Sequence, residues 1–254
     1  MAMLRAMKQA RLLLPTLLTV AGVAILLGLG TWQMSRKAWK EALIQRINAR
    51  THAPPVDLAQ AMQTWTSSGD IEYLRIRISG RFRHDREAYV YAVDSKLGPG
   101  VDVYTPLATD AGPEVLINRG FVPQGLKDPA QRPAGQIRGE TSVTGLGRRP
   151  RPAGYFTPPS DVSQKMFYWP DYAGMRRAAA SDAQLAPFFI DAEAEPGNPG
   201  GWPKGGTTIL TLPNRHLEYA LTWYGLAVTL IGVYLAFARG RLRDADREAP
   251  ATTG

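Results

Sequence analysis

The stretch LLLPTLLTVAGVAILLGL at residues 12–29 holds no charged side chain. Roughly 18 positions at a helical rise of about 1.5 Å reach about 27 Å, close to the hydrocarbon thickness of a bilayer. Pro15 falls in the first turn, where a missing N–H costs least, and Trp32 follows the apolar run, where an aromatic ring anchors at an interface. A basic leader of Arg5, Lys8 and Arg11 precedes it. A cleaved signal peptide shares that pattern, but Gly28-Leu29-Gly30-Thr31-Trp32 is a poor small-x-small cleavage site, so an uncleaved anchor is expected.

A second uncharged run, residues 219–237, precedes Arg239, Arg241, Arg243 and Arg247. Such a cluster marks the cytoplasmic side. With two spans the amino end is then also inside, and everything between lies outside, although Arg36, Lys37 and Lys40 beyond the first run weaken the charge signal there. The expected layout is a cytoplasmic N-terminus at 1–11, a transmembrane helix at 12–32, an extracytoplasmic β-rich domain with a helical stalk at 33–213, a second transmembrane helix at 214–238 with a histidine at its outer interface, and a cytoplasmic tail at 239–254. The fold class is an α+β membrane protein in which two terminal transmembrane helices flank a mainly antiparallel β domain. Small residues Ala24 and Gly28 in the first run and Gly225 and Gly232 in the second could support close helix contact, with each other or with a partner protein.

Helical spacing continues past Trp32 through Met34, Trp39, Leu43, Ile44 and Ile47, so the first helix should extend out of the membrane as a stalk until Pro54-Pro55 stops it. A short amphipathic helix over 57–65, with Asp57 as its cap, comes next. At residue 73 the period changes to two: Leu74, Ile76 and Ile78 alternate with Arg75, Arg77 and Ser79, a half-buried strand. Further strands are expected at 88–93, 101–107, 115–122, 141–146, 188–191 and 207–212. Strands without regular intervening helices imply a barrel-like or sandwich sheet. The Pro- and Gly-dense segments 148–159 and 193–206 read as loops, and Tyr168, Trp169 and Tyr172 between them as packing under a long loop.

The chain has no cysteine, which excludes disulfides, thiolate metal sites and a thiol nucleophile. Its net charge of +8 gathers near the membrane ends without a nucleic-acid motif, so the charge is read as serving membrane lipid and acidic partners, not nucleic acid. The three histidines, His52, His84 and His216, do not share metal-ligand spacing on one element. No phosphate loop, dinucleotide fingerprint or nucleophile elbow is present, and His84-Asp85 reads as a solvated pair in a turn. The chain is therefore expected not to be an enzyme.

Three polar-aromatic segments remain. The first is Trp32-Gln33-Met34-Ser35-Arg36 at the end of the first run. The second is Asn118-Arg119-Gly120-Phe121-Val122-Pro123, which interrupts an apolar strand. The third is His216-Leu217-Glu218-Tyr219-Ala220-Leu221-Thr222-Trp223, where the chain re-enters the membrane. In this order, between two terminal spans, they resemble the Surfeit locus protein family of cytochrome c oxidase assembly factors, over nearly the whole chain. Phe121 departs from the tryptophan more usual there and puts in doubt only a contact needing an indole N–H.

The resemblance implies assembly of cytochrome c oxidase in an inner membrane. Its expected partners are the oxidase subunits and the enzyme of heme a synthesis; its expected cofactor is heme a, for insertion into the catalytic subunit. An accessory oxidase-associated protein that does not touch heme is the alternative. On the residues alone His216 reads as an interfacial histidine that caps the membrane helix or bonds to lipid; on that implication it is the expected ligand of the heme iron, since imidazole is a common heme ligand and this histidine sits at a span boundary. Trp32, Gln33 and Trp223 are expected around the macrocycle. Arg119 is expected either to face heme propionates or a partner, or to satisfy a neighbouring carboxylate.

Overall fold

The computed structural model describes residues 11–110, 112–179, 184–210 and 212–248. In chain order the elements are helices α1 (Leu13–Thr51) and α2 (Leu58–Ser68), strands β1 (Arg75–Phe82), β2 (Ala88–Asp94), β3 (Gly98–Ala108), β4 (Glu114–Pro123), β5 (Glu140–Arg148) and β6 (Met166–Phe167), helix α3 (Tyr172–Ala179), strand β7 (Leu185–Ala192) and helix α4 (His216–Glu248). The chain divides into two compact units: one drawn from its two ends, up to Gln45 and after Leu210, the other Arg46–Leu210.

In the first unit α1 and α4 lie side by side and antiparallel. Thr16 Oγ1 meets the Tyr234 hydroxyl at 2.5 Å near one end, and Gln33 Oε1 meets His216 Nδ1 at 2.7 Å near the other. Between them a Cβ added at Gly30 would stand 2.5 Å from the Tyr224 ring, so the bare glycine admits the tyrosine. The expected small-residue contacts are corrected here: Gly28, Gly225 and Gly232 face open space, and Gly22 and Gly30 make the close approaches. Both helices are long and apolar enough to cross a membrane, and only 6% and 11% of their most apolar stretches are buried. A core helix of a soluble domain would bury most of such a stretch.

The second unit is a seven-stranded sheet in the order β1-β5-β7-β4-β3-β2-β6. The end of β1 also pairs with β3, Arg81 opposite Ala108 and Phe82 opposite Leu107, which closes five strands into a ring. Gly80 lets the crossing happen, since a Cβ there would collide with the Ala108 carbonyl. The alternation read from 74–78 is realised: Ile76 and Ile78 are buried, Arg77 and Ser79 exposed. Pairing is mostly antiparallel, but β4–β7 and β2–β6 are parallel. Strand β4 is buried on both faces, against Ile76, Phe188 and Ile190 on one side and Tyr104, Phe167 and Phe189 on the other, which explains its nearly unbroken apolar run.

The sequence expectation holds for α2, whose cap Asp57 accepts from the Gln60 N–H at 2.8 Å, and for the helix that continues past Trp32 to Thr51. It fails at 207–212. Residues 207–210 and 212 form no strand, and Thr211 lies outside the described residues. Beyond Asn118 the register of β7 ends, and Lys204 takes its place opposite Phe121. The Thr207 and Thr208 hydroxyls then turn to Asn118 and Asp191, at 3.4 and 2.7 Å. Helix α3 was not expected. It is started by Asp171, whose carboxylate accepts from the Gly174 N–H at 2.9 Å, and it carries Tyr172 onto Phe189.

Candidate functional site

His216 opens α4, and its side chain is half-buried against α1. Gln33 Oε1 can only accept, so at 2.7 Å it accepts a hydrogen bond from the His216 Nδ1–H and fixes the imidazole tautomer. The Nε2 lone pair is left over, and it makes no hydrogen bond among the described residues. Fixing one ring nitrogen so that the other is a free donor pair is how proteins prepare a histidine to ligate a metal. Among the described residues Ala220 and Ala227 are the fully buried positions of α4, one and three turns on, and they set the face turned to α1. Trp32 precedes Gln33 and is 55% exposed; Trp223 is half-buried two turns beyond His216. The two indoles flank the pair along their helices without a ring contact to it. Among the described residues no group of three or more His, Asp or Glu is arranged to hold a bare metal ion.

Arg119 belongs to the other unit. Residues 119 and 120 bulge out of the β3–β4 register between the pairs Asp102–Phe121 and Tyr104–Asn118. Gly120 takes φ 109°, and a Cβ there would overlap the Lys204 carbonyl, so only glycine fits. The bulge buries Arg119 with 1% of its side chain exposed. Its guanidinium stacks over Phe82 at 4.6 Å, donates to Asn198 Oδ1 at 3.0 Å and to the Gly135 carbonyl, and pairs with Glu87 at 3.4 Å. Arg132 also pairs with Glu87, and Gln136 and the Tyr89 hydroxyl donate to it at 3.3 Å each. The neighbouring carboxylate that was one reading of Arg119 is thus present, and it is Glu87.

His84 joins the same cluster. Its Nε2 donates to the Ile137 carbonyl at 2.9 Å, and its Nδ1 lies 3.2 Å from Glu87. The solvated pair read from His84-Asp85 is corrected: only Asp85 faces water, because the short 3₁₀ turn 84–86 points the imidazole inward. Burial works against an ionised Glu87, but the hydrogen bonds from His84 and Arg132 and the charges of Arg132 and Arg119 outweigh it and hold the carboxyl at about 2. Burial lowers Arg119 to about 10, against the pull of Glu87.

A second polar cluster surrounds Asp102 and Asp191. Asp191 accepts from Asn118 at 3.1 Å and Thr208 at 2.7 Å and pairs with Arg148 at 3.2 Å, whereas Asp102 Oδ1 is buried with no hydrogen-bond partner. Burial, then the neighbouring Asp191, push the Asp102 carboxyl up to about 7. A carboxyl raised in the fold binds its proton more tightly folded than unfolded. Its contribution to stability is therefore present at low pH and is lost as pH rises from about 4 to about 7. Asp102→Asn should flatten that slope and gain up to about 4 kcal/mol over wild type at alkaline pH, read as melting temperatures of the two proteins across the range. Equal melting temperatures at alkaline pH would contradict the assignment.

Sequence reasoning had no handle on Glu87, Arg132 or Asn198, which are far apart in the chain and enter the cluster through the sheet closure. Its one signal was the polar break at 118–120. The SURF1 family model matches residues 20–228, a span that takes in the Gln33–His216 end of the helix pair and the whole sheet. The chain is similar to a SURF1-like protein of Monosiga brevicollis, 36% identical over 88% of this chain and 87% of that protein. It is similar to Surfeit locus protein 1 of Homo sapiens, 36% identical over 84% of this chain and 74% of that one, and of Takifugu rubripes, 33% identical over 84% and 91%. With that span matched and that identity held over most of both lengths, the chain belongs to the SURF1 family.

Proposed function

We propose that this chain is an inner-membrane assembly factor for cytochrome c oxidase, with no catalytic step of its own, that holds heme a for insertion into the catalytic subunit. Helices α1 and α4 cross the bilayer with both termini in the cytoplasm, and the β domain stands outside. The oxidase subunits are the partners, with the enzyme of heme a synthesis as donor. Family membership supports the assembly role. One observation carries the cofactor reading: the Gln33–His216 contact of 2.7 Å, which leaves a free imidazole nitrogen at one end of an apolar helix pair.

The donor set fits the group. The His216 imidazole would hold the heme iron, Trp32 and Trp223 would offer flat aromatic surface, and the apolar helix sides would suit a greasy substituent of the macrocycle. When bound, heme a supplies an iron centre that the oxidase uses for electron transfer and oxygen chemistry. The residues here do the rest: Gln33 holds the Nδ1 proton so that Nε2 stays available, and Gly30 keeps the two helices close enough for that bond to form.

Deleting the gene should lower active, heme-loaded oxidase several-fold while transcripts of its subunits stay level. Oxidase activity and membrane heme a content measure it in a strain without a second homologue. Wild-type values for both would remove the assembly reading.

A further inference from the structure

Two buried guanidiniums, Arg119 and Arg132, share one carboxylate, Glu87. Within that trio one positive charge is left over in a place with almost no contact to water. Arg119 also keeps its Nε–H buried without an acceptor. A buried unpaired charge or donor is costly, and proteins retain one where a ligand completes it. Beside it is a cavity of about 260 Å³ walled by Arg119, Phe82, Ile137, Thr141, Ser142 and Asn198. That is room for several waters or one small polyatomic ion. Thr141 and Ser142 add hydroxyl donors. Of the two carboxylates on the wall, Glu193 is held by Arg75 at 2.6 and 2.9 Å, and Glu195 is exposed to solvent, so neither discharges the arginines.

We infer that this cavity is an oxyanion site, taking a phosphate-sized ion or a short carboxylate against Arg119. The planar fork of a guanidinium matches such an oxyanion, and Phe82 and Asn198 hold the fork in place. The site lies wholly in the β domain and does not depend on heme at His216.

The test uses the full-length protein in detergent, with inorganic phosphate and succinate compared against chloride at matched ionic strength. Phosphate, succinate or both should raise the melting temperature by about 5 °C at saturation, and which of them acts names the source of the oxyanion. Phosphorus NMR line broadening or calorimetry should report the same binding. Arg119→Gln should abolish the response, but it disturbs the core. Ser142→Glu therefore serves as the second variant: the position is exposed, its side chain makes no hydrogen bond among the described residues, and the change sets a tethered carboxylate on the wall. It should weaken anion binding about tenfold or more by occupying or repelling the site, while Ser142→Gln keeps it. No response of wild type beyond that of chloride would overturn the inference. So would an equal response of Ser142→Glu and wild type.

Discussion

Glu87→Gln should unfold or severely destabilise the β domain, by about 3–5 kcal/mol, because it leaves two buried guanidiniums facing each other without a counter-charge. A domain of this size has about 5–15 kcal/mol in total. The amide is nearly the same shape, so the loss is electrostatic. Glu87 receives hydrogen bonds from Arg132, Arg119, Gln136 and Tyr89, and glutamine can accept only at its single oxygen. The pH dependence has a definite sign. A carboxyl held at about 2 contributes stability that is full above its ordinary value near 4.5 and is lost as pH falls toward 2. Melting temperature and protease resistance of the purified variant measure the effect. A change within about 0.5 kcal/mol of wild type would show that the cluster carries no net stability.

His216→Ala should leave the fold and membrane insertion intact and remove most of the oxidase-supporting activity. His216 makes one side-chain hydrogen bond, to Gln33, at a half-buried helix end, and its loss costs about 1 kcal/mol, too little to unfold the helix pair. In a strain whose only copy carries the substitution, oxidase activity should approach that of the deletion strain, with protein abundance unchanged. Gln33→Leu should give an intermediate phenotype, since the imidazole remains but the proton is no longer held on Nδ1. Wild-type oxidase levels in the His216→Ala strain would exclude a functional role for the imidazole.

Local signals made much of the fold legible. The charge-free run at 12–29, the Pro54-Pro55 stop, the Asp57 cap and the alternation at 74–78 each act within a few residues of where they are written, and each has its structural counterpart. Where the outcome depended on distant partners the reading failed. Residues 207–212 have strand composition, but among the described residues the backbone bridge to β4 is made by Lys204, and the threonine hydroxyls are drawn to Asn118 and Asp191. Helix α3 is short and holds Gly174, which weakens helical propensity, so its Asp171 cap was the only cue. The candidate site divides in the same way. Gln33 and His216 were named from the ends of two apolar runs, and the antiparallel pairing of those runs brings them to hydrogen-bond distance. Arg119 was named from a polar break in a strand, but Glu87, Arg132 and Asn198 meet it only because the ring of strands closes.

The central claim is that the chain binds heme a through His216, and the absorption spectrum of the protein purified from cells that make heme a tests it most directly. Wild type should carry a Soret band and a pyridine hemochrome spectrum of heme a near stoichiometric amounts, and His216→Ala, at equal protein and equal membrane insertion, should have lost both. A wild-type preparation without heme, or a His216→Ala preparation with unchanged heme content and an unchanged axial-ligand spectrum, would contradict it.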